Sequence, residues 1–249
     1  MIGLLVVIAI MAVLYALTYE SLKGITSGTT EDGVGVQANK GRLQDMFTLQ
    51  QLAQGATIAG LGGQGFVRPS DLTDELEDDT TANVYALLLA RGVVTPEMLV
   101  SPMDYADVRI FDGPTRGGRD VPWNDAFEAD LEGVSNVSYA HLVLHGDRAK
   151  HWSGRSLDST MPLFSSRGPR DGEQSVDSMT CDPNTGRWAG HVAYADGHVS
   201  LIQDAENARR RGRDGIDHFF RMDDEDRHAD AILGFTWGFD SEGPILQWD

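Results

Sequence analysis

The chain has 249 residues, 41% of them hydrophobic and 23% charged, a balance that folds rather than staying disordered. Its formal charge of −18 repels phosphate backbones, which excludes nucleic acid as a partner. The single cysteine, Cys181, rules out an intramolecular disulfide and a cysteine-rich zinc module.

The first nineteen residues, Met1 to Tyr19, carry no charge. As a helix they cover roughly 28 Å, close to the hydrocarbon thickness of a bilayer. A cleaved secretory signal needs a basic n-region and a shorter apolar stretch, and no Lys or Arg precedes Lys23. Residues 1–24 therefore read as a transmembrane or assembly helix. Its apolar surface comes from Ile2, Leu4, Leu5, Val6, Val7, Ile8, Ile10, Val13 and Leu14. Residues 25–40 read as a linker or a continuation of that helix, with the Gly/Thr-rich acidic stretch Thr26 to Gly35 as a loop or hinge. Residues 41–249 are then a globular domain on the far side of the membrane.

Within that domain, Leu43, Met46, Phe47, Leu49, Leu52, Ala53 and Ala56 have helical spacing, which predicts a helix over 42–56 with these residues inward. Gly60 to Gly65 reads as a turn, and Asp71 to Asp79 as a solvated loop. A second helix is predicted from Thr81 to Arg91, ended by Gly92, followed by Thr95-Pro96-Glu97 as a helix start. Beyond Ser101 the texture becomes β-like, with runs at Val134 to Leu144, His191 to Ala195, His198 to Ile202 and Ala231 to Trp237. Helices followed by antiparallel strands make the expected fold class α+β, a long N-terminal apolar helix and then a globular domain built on an antiparallel sheet.

The strongest local signal is the hairpin around Asp196-Gly197, read as a two-residue type I′ turn with positive φ at both positions. That register pairs Tyr194 with Val199 and Val192 with Leu201. It places these four apolar residues on one face, and His191 with His198 on the other.

Candidate chemistry is sparse. His191 and His198 would lie about 13 Å apart in that register, too far to share a metal. His141 and His145 have the i, i+4 spacing of helical zinc ligands, but their β-rich setting separates them equally, and the zincin glutamate is missing. Gly60, Gly62 and Gly65 match G-x-G-x-x-G without the strand and helix that a dinucleotide loop requires. Arg209, Arg210, Arg211 and Arg213 read as a solvated helix face or as inter-subunit ion pairs. Asp223, Asp224, Glu225 and Asp226 leave calcium open as a ligand, although the EF-hand alternation is absent. No G-x-S-x-G, P-loop or zincin motif is present, so an enzyme is not expected, and no organic cofactor is either.

The order of residues in Ile2-Gly3-Leu4-Leu5-Val6-Val7-Ile8-Ala9-Ile10-Met11-Ala12-Val13-Leu14 resembles the N-terminal helix of type IV prepilins and type II secretion pseudopilins. Gly3 stands where that family carries a glutamate. Thr81 to Glu97, followed by Ser101-Pro102 in place of Cys-Pro, and Asn136 to Ala140 are similar to segments of large planctomycete-type prepilin-like proteins. Gly190 to Val199 resembles their C-terminal H-x9-D-G signature, here carried by Val192, Tyr194, Asp196, Gly197, Val199 and Leu201; Gly186 stands in the region of the upstream histidine.

The resemblance implies a single-pass protein of the bacterial inner membrane with its domain extracytoplasmic. Its partners would be the lipid bilayer, other pilin or pseudopilin subunits, and the secretion or pilus machinery, with a periplasmic or surface filament as the assembled form. It implies no catalytic residue and no resident metal. Two alternatives stay open: a membrane-tethered binding domain for sugar or calcium that does not polymerise, and a tethered hydrolase. A basic leader ending in Gly, encoded upstream, would favour assembly; the glutamate's role in the filament core is one that Gly3 cannot take.

Overall fold

A computed structural model describes residues 34–61, 67–104, 108, 136–153, 158–169, 181–182, 187–203, 205–212, 215–220, 233–241 and 243–247. The chain forms two compact units, Met1–Leu43 and Gln44–Asp249. In the first, residues 34–43 are helical. The helix α1 spans Val34–Leu61, so residues 34 and 35 are helical rather than part of a loop, and Gly60 closes the helix rather than opening a turn. Its Leu, Gln, Met and Ala content lets side chains keep their rotamer freedom in the helix.

In the second unit, α1 buries Asp45, Thr48, Leu49, Leu52 and Ala53. Leu49 and Leu52 are completely buried, each worth about 1.5–3 kcal/mol relative to exposure. Phe47, expected on this face, is 56% exposed, and the polar Asp45 and Thr48 take inward positions instead. The reason is angular: the stripe Asp45, Thr48, Leu49, Leu52 follows i, i+3, i+4, i+7, and Phe47 falls outside it.

A helical turn α2 (Ser70–Thr73) and a 3₁₀ turn (Leu76–Asp78) occupy the expected acidic loop. Asp79 at its end is completely buried rather than solvated. It accepts hydrogen bonds from the Ser70 N–H (2.9 Å) and hydroxyl (2.8 Å), which is what makes a buried carboxylate tolerable.

The helix α3 (Thr81–Ala90) matches the sequence reading. Thr80 caps it by accepting from the Asn83 N–H. At the other end, the N–H groups of Gly92 and Val93 bond to Leu89 and Leu88 carbonyls, and Gly92 has φ of 67°. This is a Schellman stop, with the left-handed position taken by glycine. Pro96–Leu99 follows as a 3₁₀ turn with Pro in its first turn.

The strands are β1 (Tyr139–Leu142), β2 (Pro162–Ser166), β3 (Cys181–Asp182), β4 (Arg187–Trp188), β5 (Gly190–Tyr194), β6 (Val199–Ile202), β7 (Glu206–Gly212), β8 (Gly215–His218), β9 (Leu233–Asp240) and β10 (Gly243–Gln247). Six form one sheet in the order β10-β9-β1-β2-β5-β6, with every pairing antiparallel. Two small ribbons, β3-β4 and β7-β8, stand apart from it. The domain is therefore α+β. Arg209, Arg210 and Arg211 lie on β7, so the basic cluster is strand rather than helix; Arg213 is outside the described residues.

Every residue of β1, β2 and β5 is buried, so the centre of the sheet is covered on both faces. Such strands show no polar alternation, which is why Met161 to Ser166 carries no period-2 signature. Cross-strand partners share a face, and the register puts Tyr139, His141, Phe164 and Ala193 on one side. Ala140, Leu142, Ser165 and Val192 lie on the other. Helices α1 and α3 meet the first side through Tyr139 and His141. Beside β5, the ring of Trp188 fills the space that a side chain at Gly190 would take, stacked edge-on to Phe220.

Candidate functional site

The signature hairpin lies one register step from its expected position. Ala193 pairs with Val199, Val192 with Ser200 and His191 with Leu201. Tyr194 N–H donates to the His198 carbonyl (2.9 Å) and Gly197 N–H to the Tyr194 carbonyl (2.8 Å). Gly197 has φ of 85°, and Asp74 is the one non-glycine residue with positive φ among the described residues. The connection is thus a three-residue loop, Ala195-Asp196-Gly197, a type I turn closed by a glycine bulge. The Asp196 side chain explains the choice. Its Oδ1 accepts from the His198 N–H (3.1 Å) and from His198 Nδ1, a local bond that draws the turn one residue longer.

The shift rearranges both faces. Val192 and Tyr194 now share a face with His198, whereas Val199 and Leu201 share the opposite face with His191. Tyr194 lies flat on the His198 ring, with centroids 4.4 Å and planes 4° apart. His191 and His198 therefore point to opposite sides of the sheet. His191 is buried, and its N–H donates to Ser166 Oγ (3.1 Å). Gly197 also approaches α1, where a Cβ would stand 3.5 Å from Gln54 Cγ.

His141 and His145 diverge as well. His145 follows the end of β1, its ring 6.3 Å from that of Phe239. His141 is completely buried at the centre of a polar chain. Its Nδ1 donates to the Leu142 carbonyl (2.7 Å), which leaves Nε2 as an acceptor for the Thr81 hydroxyl (2.8 Å). Thr81 Oγ1 in turn accepts from the Thr236 N–H (2.7 Å). Burial pushes the imidazole pKa down to about 4, because the charged form would lose its hydration. This histidine is held neutral, with both ring nitrogens in hydrogen bonds that join β1 to α3.

A second polar knot fastens α1. Asp45 Oδ1 accepts from Ser101 Oγ (2.7 Å) and from the Tyr139 hydroxyl (2.9 Å). Ser101 N–H donates to Ser138 Oγ (3.0 Å), and Tyr85 OH donates to the Tyr139 carbonyl (2.6 Å). Burial raises the Asp45 pKa above the usual carboxylate range, and the Ser101 and Tyr139 donors offset this in part. Close by in sequence, Asp104 pairs with Arg167 at 2.8 Å, both side chains buried. Arg167 also donates to the Val137 carbonyl (3.1 Å). The Asp45 knot was missed in the sequence, although an acidic residue at i−4 and i−7 from Leu49 and Leu52 was a legible sign of an inward carboxylate.

Among the described residues, no group of three or more His, Cys, Asp or Glu could hold a metal ion. Cys181 pairs across the β3-β4 ribbon with Trp188. The acidic run Asp223 to Asp226 lies outside the described residues, as does the helix expected over residues 1–24 with Ile2, Leu4, Leu5, Val6, Val7, Ile8, Ile10, Val13 and Leu14. Gly62 and Gly65 lie outside them too. Among the described residues no helix is long and apolar enough to cross a membrane. No family model, curated protein or solved structure matches the chain.

Proposed function

We propose that this chain is a membrane-anchored structural subunit of the pilin or pseudopilin kind, in a type II secretion or type IV pilus-like assembly of a bacterial inner membrane. The observation that carries the reading is the order of residues from Ile2 to Leu14 within an uncharged run of nineteen residues. The domain supports it in kind. A helix whose Leu49, Leu52 and Ala53 share one apolar core with residues of an antiparallel sheet suits a structural subunit. The buried polar groups support it as well. His141, Asp45 and Asp79 are each spent on holding one element to another, which fits a structural part better than a catalyst.

Two experiments test the reading. Deleting residues 1–24 should move the protein from the membrane fraction to the soluble fraction of expressing cells; retention in the membrane overturns the anchor. Crosslinking the full chain in membranes should give ladders of multiple copies, and a purely monomeric pattern overturns the assembly.

A further inference from the structure

Two carboxylates and one guanidinium are buried around Ser101. Asp45 on α1 is 7% exposed, and the side chains of Asp104 and Arg167 are 7% and 8% exposed. Ser101 ties the two acids together: its hydroxyl donates to Asp45 and its carbonyl accepts from the Asp104 N–H (3.0 Å).

The charges do not balance. Arg167 pairs with Asp104 at 2.8 Å, donates to the Val137 carbonyl and lies over the Phe235 ring, 5.6 Å from its centroid. Asp45 receives only the hydroxyls of Ser101 and Tyr139, and burial keeps the Tyr139 phenol protonated. No cation pairs with Asp45 among the described residues, Arg42 one turn earlier on α1 included. With both acids ionised the cluster therefore buries one uncompensated negative charge, which is costly away from water. A proton on Asp45 removes that charge and leaves an oxygen to accept from both hydroxyls.

We propose that this cluster is a proton-operated latch on α1. With the proton on Asp45, residues 44–53 are held firmly against β1 and the loop at Ser101. When the proton leaves, this stretch opens locally, while α3 and the sheet stay folded. Only α1 gains from opening, because Asp104 keeps its ion pair and the His141 joint holds no charge. Phe47 on the outer side of α1 is already 56% exposed, so opening has only the inner stripe to uncover, and local openings of this kind lie below the cost of global unfolding. Burial raises Asp45 above the ordinary aspartate value of 3.8. The latch is thus tightest below 3.8, loosens as pH rises to the folded value, and is constant above it.

The test is amide hydrogen exchange of the full chain in mild detergent between pH 4 and pH 8, with each rate corrected for intrinsic exchange. The comparison is with D45N, which keeps the acceptor, cannot ionise and carries the same His141. The ratio of native to D45N protection within residues 44–53 should fall at least about threefold as pH rises. The same ratio within residues 81–90 should stay constant. A constant ratio in 44–53, or an equal fall in both segments, overturns the latch. Should D45N fail to fold by circular dichroism, the native protein decides alone: protection in 44–53 must fall with pH, and a flat or rising profile overturns the proposal. None of these outcomes touches residues 1–24, so the latch and the membrane reading stand or fall separately.

Discussion

The hydroxyl of Thr81, the first residue of α3, lies 2.8 Å from His141 Nε2 on β1 and 2.7 Å from the backbone nitrogen of Thr236 on β9. One side chain thereby satisfies two buried groups from two strands. Removing it leaves both without a partner, at about 1–3 kcal/mol each. Thr81→Val, which keeps the shape, should cost about 2–5 kcal/mol in urea unfolding. Thr81→Ser should cost far less. Equal losses for the two variants would show that shape, and not the hydroxyl, holds the helix.

The same contact makes stability depend on pH. The folded pKa of His141 is pushed down to about 4 from the ordinary imidazole value of 6.5. The unfolded chain therefore takes up a proton as pH falls through 6.5, while the folded chain does not until about 4. The stability is complete above the unfolded value and is lost across that window, on the order of 3 kcal/mol in total. Asp45 and Asp79, with raised folded pKa values, act in the opposite direction. The His141 part is therefore read as the difference from His141→Phe, whose urea midpoint should fall less between neutral pH and pH 4. Parallel curves for the two proteins would remove His141 from the account.

Asp45 bears the opposite sign. Its folded pKa is raised, so its contribution is present below the unfolded value and is lost as pH rises through the folded one. Asp45→Asn retains an acceptor for Ser101 and Tyr139 without the buried charge. It should match or exceed the native protein in stability at pH 8 and lose that advantage near pH 4. Asp45→Leu strands both hydroxyl donors and should cost about 2–5 kcal/mol near pH 4 and less at pH 8, where the native carboxylate is itself destabilising. Chemical denaturation of the three proteins at both pH values decides the matter.

Gly197 combines a left-handed backbone with a close neighbour. At φ of 85° and with Gln54 Cγ 3.5 Å from a would-be Cβ, the conformation rather than the space is limiting. Gly197→Ala should cost about 1–2 kcal/mol. Gly197→Asn should cost less, because Asn tolerates this region. Thermal melts that rank the two in the reverse order would point to the Gln54 contact instead.

Much of the chain was legible from local chemistry. Thr81 to Ala90 announces its helix because apolar residues and a terminal glycine, Gly92, agree within a few residues. Strands β5, β6 and β9 show through their β-branched and aromatic content. Strand β2 did not, because a strand buried on both faces has no alternation to read. The hairpin was found but its register was wrong by one residue: Asp-Gly suits a two-residue turn, and the Asp196–His198 bond selects a three-residue one. One step of register reassigns every side chain to the other face, so Tyr194 meets His198 rather than Val199.

What the amino-acid sequence determined alone is the α+β class, the helix that starts at Thr81, the strands around Tyr139, Val192, Val199 and Phe235, and the uncharged run at the start on which the functional reading rests. These depend on residues close together in the chain, where propensity and periodicity act. Only the tertiary structure decided which polar residues are buried and with whom. Asp45 meets Tyr139 across 94 positions and Thr81 meets the Thr236 N–H across 155. Burial of a polar group is set by partners that arrive from distant elements, and its cost is met only when they do.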